Sequence, residues 1–405
     1  MDRLQGLLGI LLIFGIVFAL SKSRKHIKWR TLAVGFGLQI LFAFVVLSWE
    51  PGFRALKSVS HGLQKLTDFT NQGTSFVFGS LFPLEGGFVF ALNVLPVIIF
   101  LGAIIGVLYY LRVIQVFVDI VGSGIQKLMG TSKVESVWAS TVIFLGQSEA
   151  PLVIAPYLPK LTRSELFACM TGGFASVAGS TLIGYSLLGA PLEYLLAASL
   201  MNAPGSLIIA KALMPETEKS NLDASVRDVR DENSENVIDA MGSGAMAGGK
   251  IAVAVACLLI AFIAMITMFS SIIGGIGGWF GQENWSLEGL FGIVFAPLAW
   301  LIGTPWAEAS HVGNFIAQKT ILNEFVGYTS FSGMLDQLSP KAIMLSTFAL
   351  AGFANLSSIA IQIGSIGGLC PERRGEVAKL GPWALLGGFL TNLLNAAIVG
   401  VVVAA

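Results

Sequence analysis

A short polar cluster, Gln147, Ser148 and Glu149, interrupts an apolar part of the chain within the segment Gly146–Pro151. The glutamine offers hydrogen-bond donors and acceptors, the serine a hydroxyl group, and the glutamate two acceptor oxygens. Together these side chains suit a neutral polar ligand with several hydrogen-bonding edges, such as a nucleobase. At the tip of a helical hairpin, the free N–H and C=O groups of the helix ends would add to this set.

A second polar set follows much later in the chain. The carboxylate of Glu324 beside the amide of Asn323 suits vicinal hydroxyl groups, as in a ribose. Asn355 and Ser358 are three residues apart, so they share one face of a helix and can take part in the same task. Phe353 either packs against the ligand or takes part in ordinary helix packing.

The composition places these polar sets in a membrane protein. Only 12% of the 405 residues are charged, 55% are apolar, and the mean hydropathy is +0.78. A soluble chain carries about 25% charged residues, so a soluble domain, a disordered chain and a nucleic-acid binder with a basic face are excluded. The apolar runs are continuous rather than alternating, which favours an all-α polytopic protein over a β-barrel.

Cysteine and histidine give no support for a disulfide framework, a zinc site or metal-centred catalysis, because they are widely scattered. We therefore expect no cofactor. The residues concerned are Cys169, Cys257, Cys370, His26, His61 and His311.

Eight apolar stretches approach or exceed the length of about 20 residues that a membrane-spanning helix needs. They are Leu4–Leu20, Thr31–Ser48, Phe88–Leu111, Leu166–Leu188, Leu195–Ala210, Ile251–Ile273, Ala342–Gly364 and Pro382–Ala405. Two further stretches, Val134–Pro159 and Leu287–Tyr328, are broken by polar residues and proline at Gly146–Pro151 and Gly303–Glu308. Such breaks are typical of re-entrant hairpins, with a kinked ordinary span as the alternative.

The basic residues support this arrangement independently. With both broken stretches re-entrant, 18 of the 24 Lys and Arg residues fall on the side of the cluster Lys22–Arg30, which the positive-inside rule makes cytoplasmic. Reading either stretch as a full span would spoil the asymmetry. We expect a multi-pass protein of the cytoplasmic (inner) membrane with both termini on the outer side.

The chain also reads as two similar halves. Gly173–Ser176 follows the first hairpin and Gly352–Asn355 the second, each inside an apolar span, and the hairpins enter from opposite sides. This predicts an inverted repeat of the kind found in secondary transporters. Between the halves, 215–240 holds eight acidic and three basic residues and reads as a solvated cytoplasmic loop.

Three acids, Glu149, Glu308 and Glu324, fall inside the apolar regions. A charge at mid-membrane costs at least about 2.5 kcal/mol, so it commonly marks a pathway or binding site. A capping acid at a hairpin tip is the alternative, most of all for Glu308.

Three motifs at matching separations resemble the concentrative nucleoside transporter family over essentially the whole chain. They are Gln147–Leu152, Lys319–Val326 and Phe353–Ser358. The resemblance implies a homotrimer of cation-driven nucleoside symporters in which a transport domain moves like an elevator against a scaffold. It also implies a substrate site in which the base contacts Gln147, Ser148 and Glu149, with Thr181 alongside, and the ribose contacts Glu324, Asn355 and Ser358, with Phe353 lining the site.

The resemblance further implies where a coupling cation binds. A sodium ion would lie between the first hairpin tip and the following break, at the Leu145 and Val177 carbonyls and the Ser176 hydroxyl. Sodium-coupled members carry an asparagine where this chain has Val142, whose carbonyl alone remains. Proton-coupled members also lack that asparagine, so a proton is favoured over Na+, with Glu149 or Glu324 as the titrating group.

The sequence therefore predicts a secondary active transporter that imports nucleosides with H+ or Na+, whose partners are nucleosides, membrane lipid and further copies of the chain but no nucleic acid. A passive nucleoside pore is one alternative. An intramembrane enzyme is another, although its only candidate nucleophile, Ser148, lacks a histidine partner. The predicted division is 1–133 (scaffold), 134–214 (first transport repeat), 215–250 (acidic loop), 251–286 (scaffold span) and 287–405 (second transport repeat).

Overall fold

The computed structural model describes residues 2–79, 89–218, 234–282 and 285–403, and their regular elements are all helical. The α-helices are α1 (Asp2–Leu20), α2 (Trp29–Ala43), α3 (Glu50–Phe78), α4 (Phe90–Asn93), α5 (Leu95–Tyr110), α6 (Val113–Met129), α7 (Lys133–Thr141), α8 (Ala150–Val153), α9 (Arg163–Ala175), α10 (Gly179–Leu187), α11 (Leu192–Leu213), α12 (Val237–Gly278), α13 (Leu287–Leu301), α14 (Trp306–Ile321), α15 (Glu324–Ser332), α16 (Pro340–Leu350), α17 (Leu356–Leu369) and α18 (Arg374–Val402). The all-α class predicted from the sequence is confirmed.

The eight predicted apolar stretches are mostly helical in their described parts, but Leu166–Leu188 and Ala342–Gly364 are interrupted by non-helical chain at 176–178 and 351–355. Among the described residues, six helical segments are long and apolar enough to cross a membrane, and a seventh results if the bent pair α13 and α14 counts as one span. The stretches at the first and seventh positions are shorter helices, α1 and the pair α16 and α17. Residues 219–233 of the predicted acidic loop lie outside the described residues, and the end of that loop differs from the prediction, because α12 already begins at Val237 rather than near Ile251. The domain division stays a prediction.

The first hairpin is formed by α7, a turn and α8. A capping box starts α7, since the Ser132 hydroxyl accepts from the Glu135 amide and the Glu135 carboxylate accepts from the Ser132 amide. Pro151 stands in the first turn of α8, where its missing N–H costs nothing. The tip is closed locally, because the Gly146 amide donates to Glu149 Oε2 at 2.7 Å.

The second broken stretch differs from the prediction. Its break at Gly303–Glu308 is a 113° bend between α13 and α14, where Gly303 has a φ of 112° and Pro305 precedes α14. The tight turn comes later, at Leu322–Asn323, where Asn323 Oδ1 accepts from the Val326 amide and starts α15. The hairpin is therefore α14 and α15, and Leu287–Tyr328 holds three helices.

Glu308 has a capping role, which was the alternative to a binding site. Its two carboxylate oxygens accept from the amide and the hydroxyl of Ser339, at 2.7 and 2.8 Å, just before α16. The side chain thus fixes the connection between the second hairpin and α16, and it does not line the cavity described below.

Each hairpin is followed by a helix pair interrupted by extended chain, α9/α10 and α16/α17, and the two interruptions are bonded together. Asn392 on α18 donates to the carbonyl oxygens of Ala175 and Ala351, at 3.0 and 2.9 Å. The Phe353 amide donates to the Ser176 carbonyl at 3.1 Å. Gly352 is required here, because a methyl group on it would lie 2.3 Å from Asn392 Oδ1.

A close crossing of α5 and α12 depends on glycine. Gly102 and Gly106 on α5 face Gly244 and Gly248 on α12, and a methyl group on Gly244 would lie 2.4 Å from the Gly102 carbonyl oxygen. Small residues spaced by four allow helix backbones to approach in this way, as at packed membrane-helix interfaces.

We expect Gly244→Ala to destabilise the fold and Gly242→Ala, two residues away with nothing within 4 Å of an added methyl group, to leave it unchanged or slightly more stable. Overpacking costs about 1–3 kcal/mol, whereas alanine is favoured over glycine in an open helix by about 1 kcal/mol. Thermal unfolding of the purified protein in detergent measures both variants. Equal shifts for the two would contradict the close crossing.

Candidate substrate site

A cavity of about 290 Å³ lies where both hairpin tips and both interrupted helix pairs meet α12. It collects every side chain that the sequence predicted for substrate binding. These are Gln147, Ser148, Glu149, Thr181, Glu324, Phe353, Asn355 and Ser358. Residues 176 positions apart along the chain, such as Thr181 and Ser357, thus line one volume.

The first turns of α10, α15 and α17 face this cavity. Free backbone N–H groups and the positive end of the helix dipole favour acceptor and anionic groups at such positions. Asn355 starts α17, its Oδ1 accepting from the Ser358 amide at 2.9 Å, and Asn323 starts α15 in the same way. The asparagines flanking the site are therefore fixed by the helix starts that they cap.

Glu324 is held by two donors. Tyr185 donates its hydroxyl to Oε1 at 3.1 Å, and Asn355 donates its amide to Oε2 at 2.9 Å. The carboxylate is buried, with 5% of the residue exposed. Its orientation toward the cavity is thus set by groups from both halves of the chain.

Tyr185 is a functional candidate that the sequence analysis missed. It lies one helical turn after Thr181 on α10, a spacing that places both on one face. Its ring stacks on the buried ring of Tyr328 with 4.6 Å between centroids, which holds the Tyr185 hydroxyl in place beside Glu324.

The two predicted polar sets touch each other. The amide of Gln147, which is 4% exposed, donates to Ser358 Oγ at 2.6 Å. Glu149, half-buried, keeps one oxygen on the Gly146 amide. The base-recognition set and the ribose-recognition set therefore form one connected surface.

The residues predicted around a cation are buried and are not among those that line the cavity; they are Val142, Leu145, Ser176 and Val177. The first hairpin tip is tied to the following break by a hydrogen bond from the Gly179 amide to the Phe144 carbonyl, at 2.8 Å. The Ser176 hydroxyl donates to the Gly173 carbonyl at 2.8 Å, and Val142 is buried and contributes no side-chain oxygen. Within the described ranges no group of three His, Cys, Asp or Glu residues could hold a metal.

One wall of the cavity comes from α12. It is aliphatic except at its end, where Lys250 stands, and the polar groups come from the hairpins and the interrupted helices. The wall residues are Lys250, Ile251, Ala254, Val255 and Leu258. Interrupted helices and hairpin tips around one buried and one half-buried carboxylate, in a chain of apolar helices, are typical of a solute transporter of the membrane.

Comparison with protein families agrees with this class. Three family models together match most of the chain: the N-terminus of the Na+ dependent nucleoside transporters at residues 8–81, a nucleoside recognition (gate) domain at 91–192, and the C-terminus of the Na+ dependent nucleoside transporters at 194–400. The chain belongs to the concentrative nucleoside transporter family, as the motif resemblance implied.

Individual relatives align with nearly the whole of this chain. The uncharacterized transporter YutK of Bacillus subtilis is 49% identical and the putative nucleoside permease NupX of Escherichia coli 41%, each with 99% of both chains aligned. Human solute carrier family 28 member 3 is 34% identical over 97% of this chain, which spans 59% of that protein. These relatives are transporters, so the prediction that the chain is not an enzyme is confirmed.

Solved structures of CNTnw share the fold. Its inward-facing substrate-bound structure has a TM-score of 0.95 at 45% identity, covering 99% of this chain and 98% of that one. An outward-facing structure of a CNTnw variant gives a TM-score of 0.94.

We expect Tyr185→Phe to weaken nucleoside affinity by about 3- to 10-fold, because Glu324 loses one of its two donors. Tyr328→Phe is the matched control, since its hydroxyl donates to the Thr347 carbonyl and does not touch Glu324. Binding to the purified protein, measured calorimetrically, separates the two. Equal affinities in both variants would contradict the role given to Tyr185.

Proposed function

We propose that this protein imports nucleosides in symport with a cation, and that the cation is a proton. The observation that carries the proposal is the single cavity in which two buried or half-buried carboxylates, Glu149 and Glu324, stand among amide and hydroxyl groups. The named relatives include nucleoside permeases and a rat sodium/nucleoside cotransporter, which supports the substrate class and the use of an ion gradient.

The chemistry of the cavity divides into two ends. At one end, Gln147, Ser148 and Glu149 offer hydrogen-bond donors and acceptors to the cavity, which suits the edge of a base. Thr181 also lines the cavity. The second end combines a carboxylate, which accepts hydrogen bonds, with an amide and a hydroxyl, which can both donate and accept. This combination suits the vicinal hydroxyls of a ribose. It consists of Glu324, Asn355 and Ser358, next to the ring of Phe353.

The proposed movement follows from the distribution of polarity. The hydrogen-bonding groups of the cavity stand on α7–α8, α10, α14–α15 and α17, whereas α12 contributes aliphatic side chains and Lys250. A body that carries the polar groups can slide past an aliphatic wall without breaking many directional bonds. We therefore favour an elevator-type motion of the hairpins and interrupted helices against α12, in which nucleoside and cation favour each other's binding reciprocally.

The exposed apolar side of α12 is consistent with contacts to lipid and to further copies of the chain. Its side chains Val253 and Ile260 are 64% and 74% exposed. A homotrimer in the cytoplasmic membrane, with both termini outside, is the assembly that we propose.

The chain's own groups support a proton as the coupling ion. The position where sodium-coupled members carry an asparagine is the buried, apolar Val142, which leaves carbonyl oxygens and the Ser176 hydroxyl, itself bonded to Gly173, as ligands. A proton needs only a carboxylate in contact with the substrate region, and Glu149 and Glu324 both meet that condition.

Imposing one gradient at a time on proteoliposomes tests the coupling. An inward proton gradient without sodium should concentrate labelled uridine or adenosine above the external level, and a protonophore should abolish the excess. A sodium gradient at equal pH should not. Accumulation driven by sodium alone would assign Na+ instead, and uptake that stops at equal concentrations under both gradients would indicate a passive pore.

Glu149→Gln should reduce uptake at least about 100-fold while the protein still folds, because the amide oxygen of glutamine can still accept from the Gly146 amide but cannot take and release a proton. The matched control is Glu308→Gln, at a glutamate that caps α16 away from the cavity. Uptake by the control should stay near that of the unmodified protein. Wild-type uptake by Glu149→Gln would overturn the site assignment.

A further inference from the structure

One face of α17 holds Gln147 from three successive turns. Ser358 accepts from the Gln147 amide at 2.6 Å, Gln362 donates to Gln147 Oε1 at 3.3 Å, and the Ser365 hydroxyl donates to the Gln147 carbonyl at 3.3 Å. The spacings of four and three residues place these side chains on one stripe of the helix. Gln147 is therefore held at both ends, side chain and backbone, by one helix of the other half of the chain.

The direction of these bonds is set by a backbone carbonyl. Gln362 Nε2 donates to the carbonyl oxygen of Met170 on α9 at 3.0 Å, and to Gln147 Oε1. A carbonyl oxygen only accepts, so the nitrogen of the Gln362 amide has to face Met170. Both of its N–H groups are then used, and Gln147 has to turn its oxygen toward Gln362 and its nitrogen toward Ser358.

The surroundings prevent Gln362 from reversing. The residue is 1% exposed, and a methyl group on Gly173 would lie 2.7 Å from Gln362 Nε2, so glycine leaves just enough space for this amide. A reversed amide would bring its oxygen against the Met170 carbonyl and against Gln147 Oε1, which are both acceptors. The remaining oxygen, Gln362 Oε1, has no hydrogen-bond partner within the described part of the chain.

The hydrogen-bonding groups of Gln147 and Ser358 that these bonds do not use remain available to a ligand in the cavity. Gln147 keeps one N–H group and one acceptor lone pair, in fixed places, and Ser358 keeps its hydroxyl proton. We infer that Gln362 is a positioning residue that fixes the direction of the Gln147 amide and thereby sets which bases the transporter prefers. This inference rests on the proposed nucleoside transport.

The substrates that report on this role are pairs with reversed hydrogen-bonding edges. Uridine carries a ring N–H beside a carbonyl, whereas cytidine carries a ring acceptor beside an amino group at the same positions. Inosine and adenosine differ in the same sense. A fixed amide matches one member of a pair better, but an amide that can rotate matches both.

The experiment compares Gln362→Met with the unmodified protein in proteoliposomes. Methionine has a similar length but cannot donate to Met170 or Gln147, so the Gln147 amide becomes free to rotate. The ratios of kcat/KM for uridine over cytidine and for inosine over adenosine should move toward unity by about 5-fold, the size of one hydrogen bond. If Gln362→Met does not fold, Gln362→Leu and calorimetric binding of the same four nucleosides give the same ratios.

Ser365→Ala is the control for a merely structural effect, because the Ser365 hydroxyl donates to the backbone carbonyl of Gln147 and not to its side-chain amide. It should lower the uptake of all four nucleosides in parallel and leave both ratios unchanged. Ratios unchanged in Gln362→Met, or an unmodified protein that does not discriminate within the pairs, would overturn the inference while nucleoside transport stands. Absence of uptake of all four by the unmodified protein would instead overturn the proposed function.

Discussion

The side-chain amide of Asn392 is the interaction on which the rest of the structure depends. Two helices are interrupted inside the apolar body, and each interruption leaves backbone carbonyls without helical partners. Such groups have to be bonded within the protein, because lipid offers no hydrogen bonds. One amide satisfies the Ala175 and Ala351 carbonyls together, so neither break can shift without the other.

This amide is itself oriented by a buried network. Lys319 donates to Asn392 Oδ1 at 2.7 Å and to the Ala349 carbonyl at 3.2 Å, which places the nitrogen of Asn392 toward the two breaks. Asn202 accepts from Asn392 and from Asn395, and Asn395 Oδ1 accepts from Gln39 on α2. Leaving a buried polar group unpaired costs about 1–3 kcal/mol, so the network fixes the geometry of the breaks, and through them the separation of the two ends of the cavity.

Sequence reasoning located the cavity because its residues stand at interruptions of apolar runs. Glu149, Glu324 and Asn355 are polar where a membrane helix should be apolar, and the three motifs added the remaining members. The second hairpin was misplaced because glycine and proline at 303–308 signal a bend as strongly as they signal a tip. The helix-capping role of Asn323, which marks the actual turn, looks the same in sequence as a ligand-binding amide.

Other residues could not be found from the sequence. Tyr185 meets Glu324 across 139 positions, and Gln362 meets Gln147 across 215. Their side chains are of types that occur in many helices, and only the packing of α10 and α17 gives them a partner. A tyrosine one turn after a predicted site residue was the one available signal, and it is a weak one.

The absent side chain at Gly173 also constrains how this protein can change over time. The space that it leaves is filled by the side chain of Gln362, so the residue at 173 limits the size of the residue at 362. An alanine at 173 is compatible only with a smaller residue at 362, and any such pair gives up the fixed direction of the Gln147 amide. Homologues with a larger residue at 173 are therefore expected to carry a smaller residue at 362 as well, whereas glycine at 173 places no such demand on residue 362.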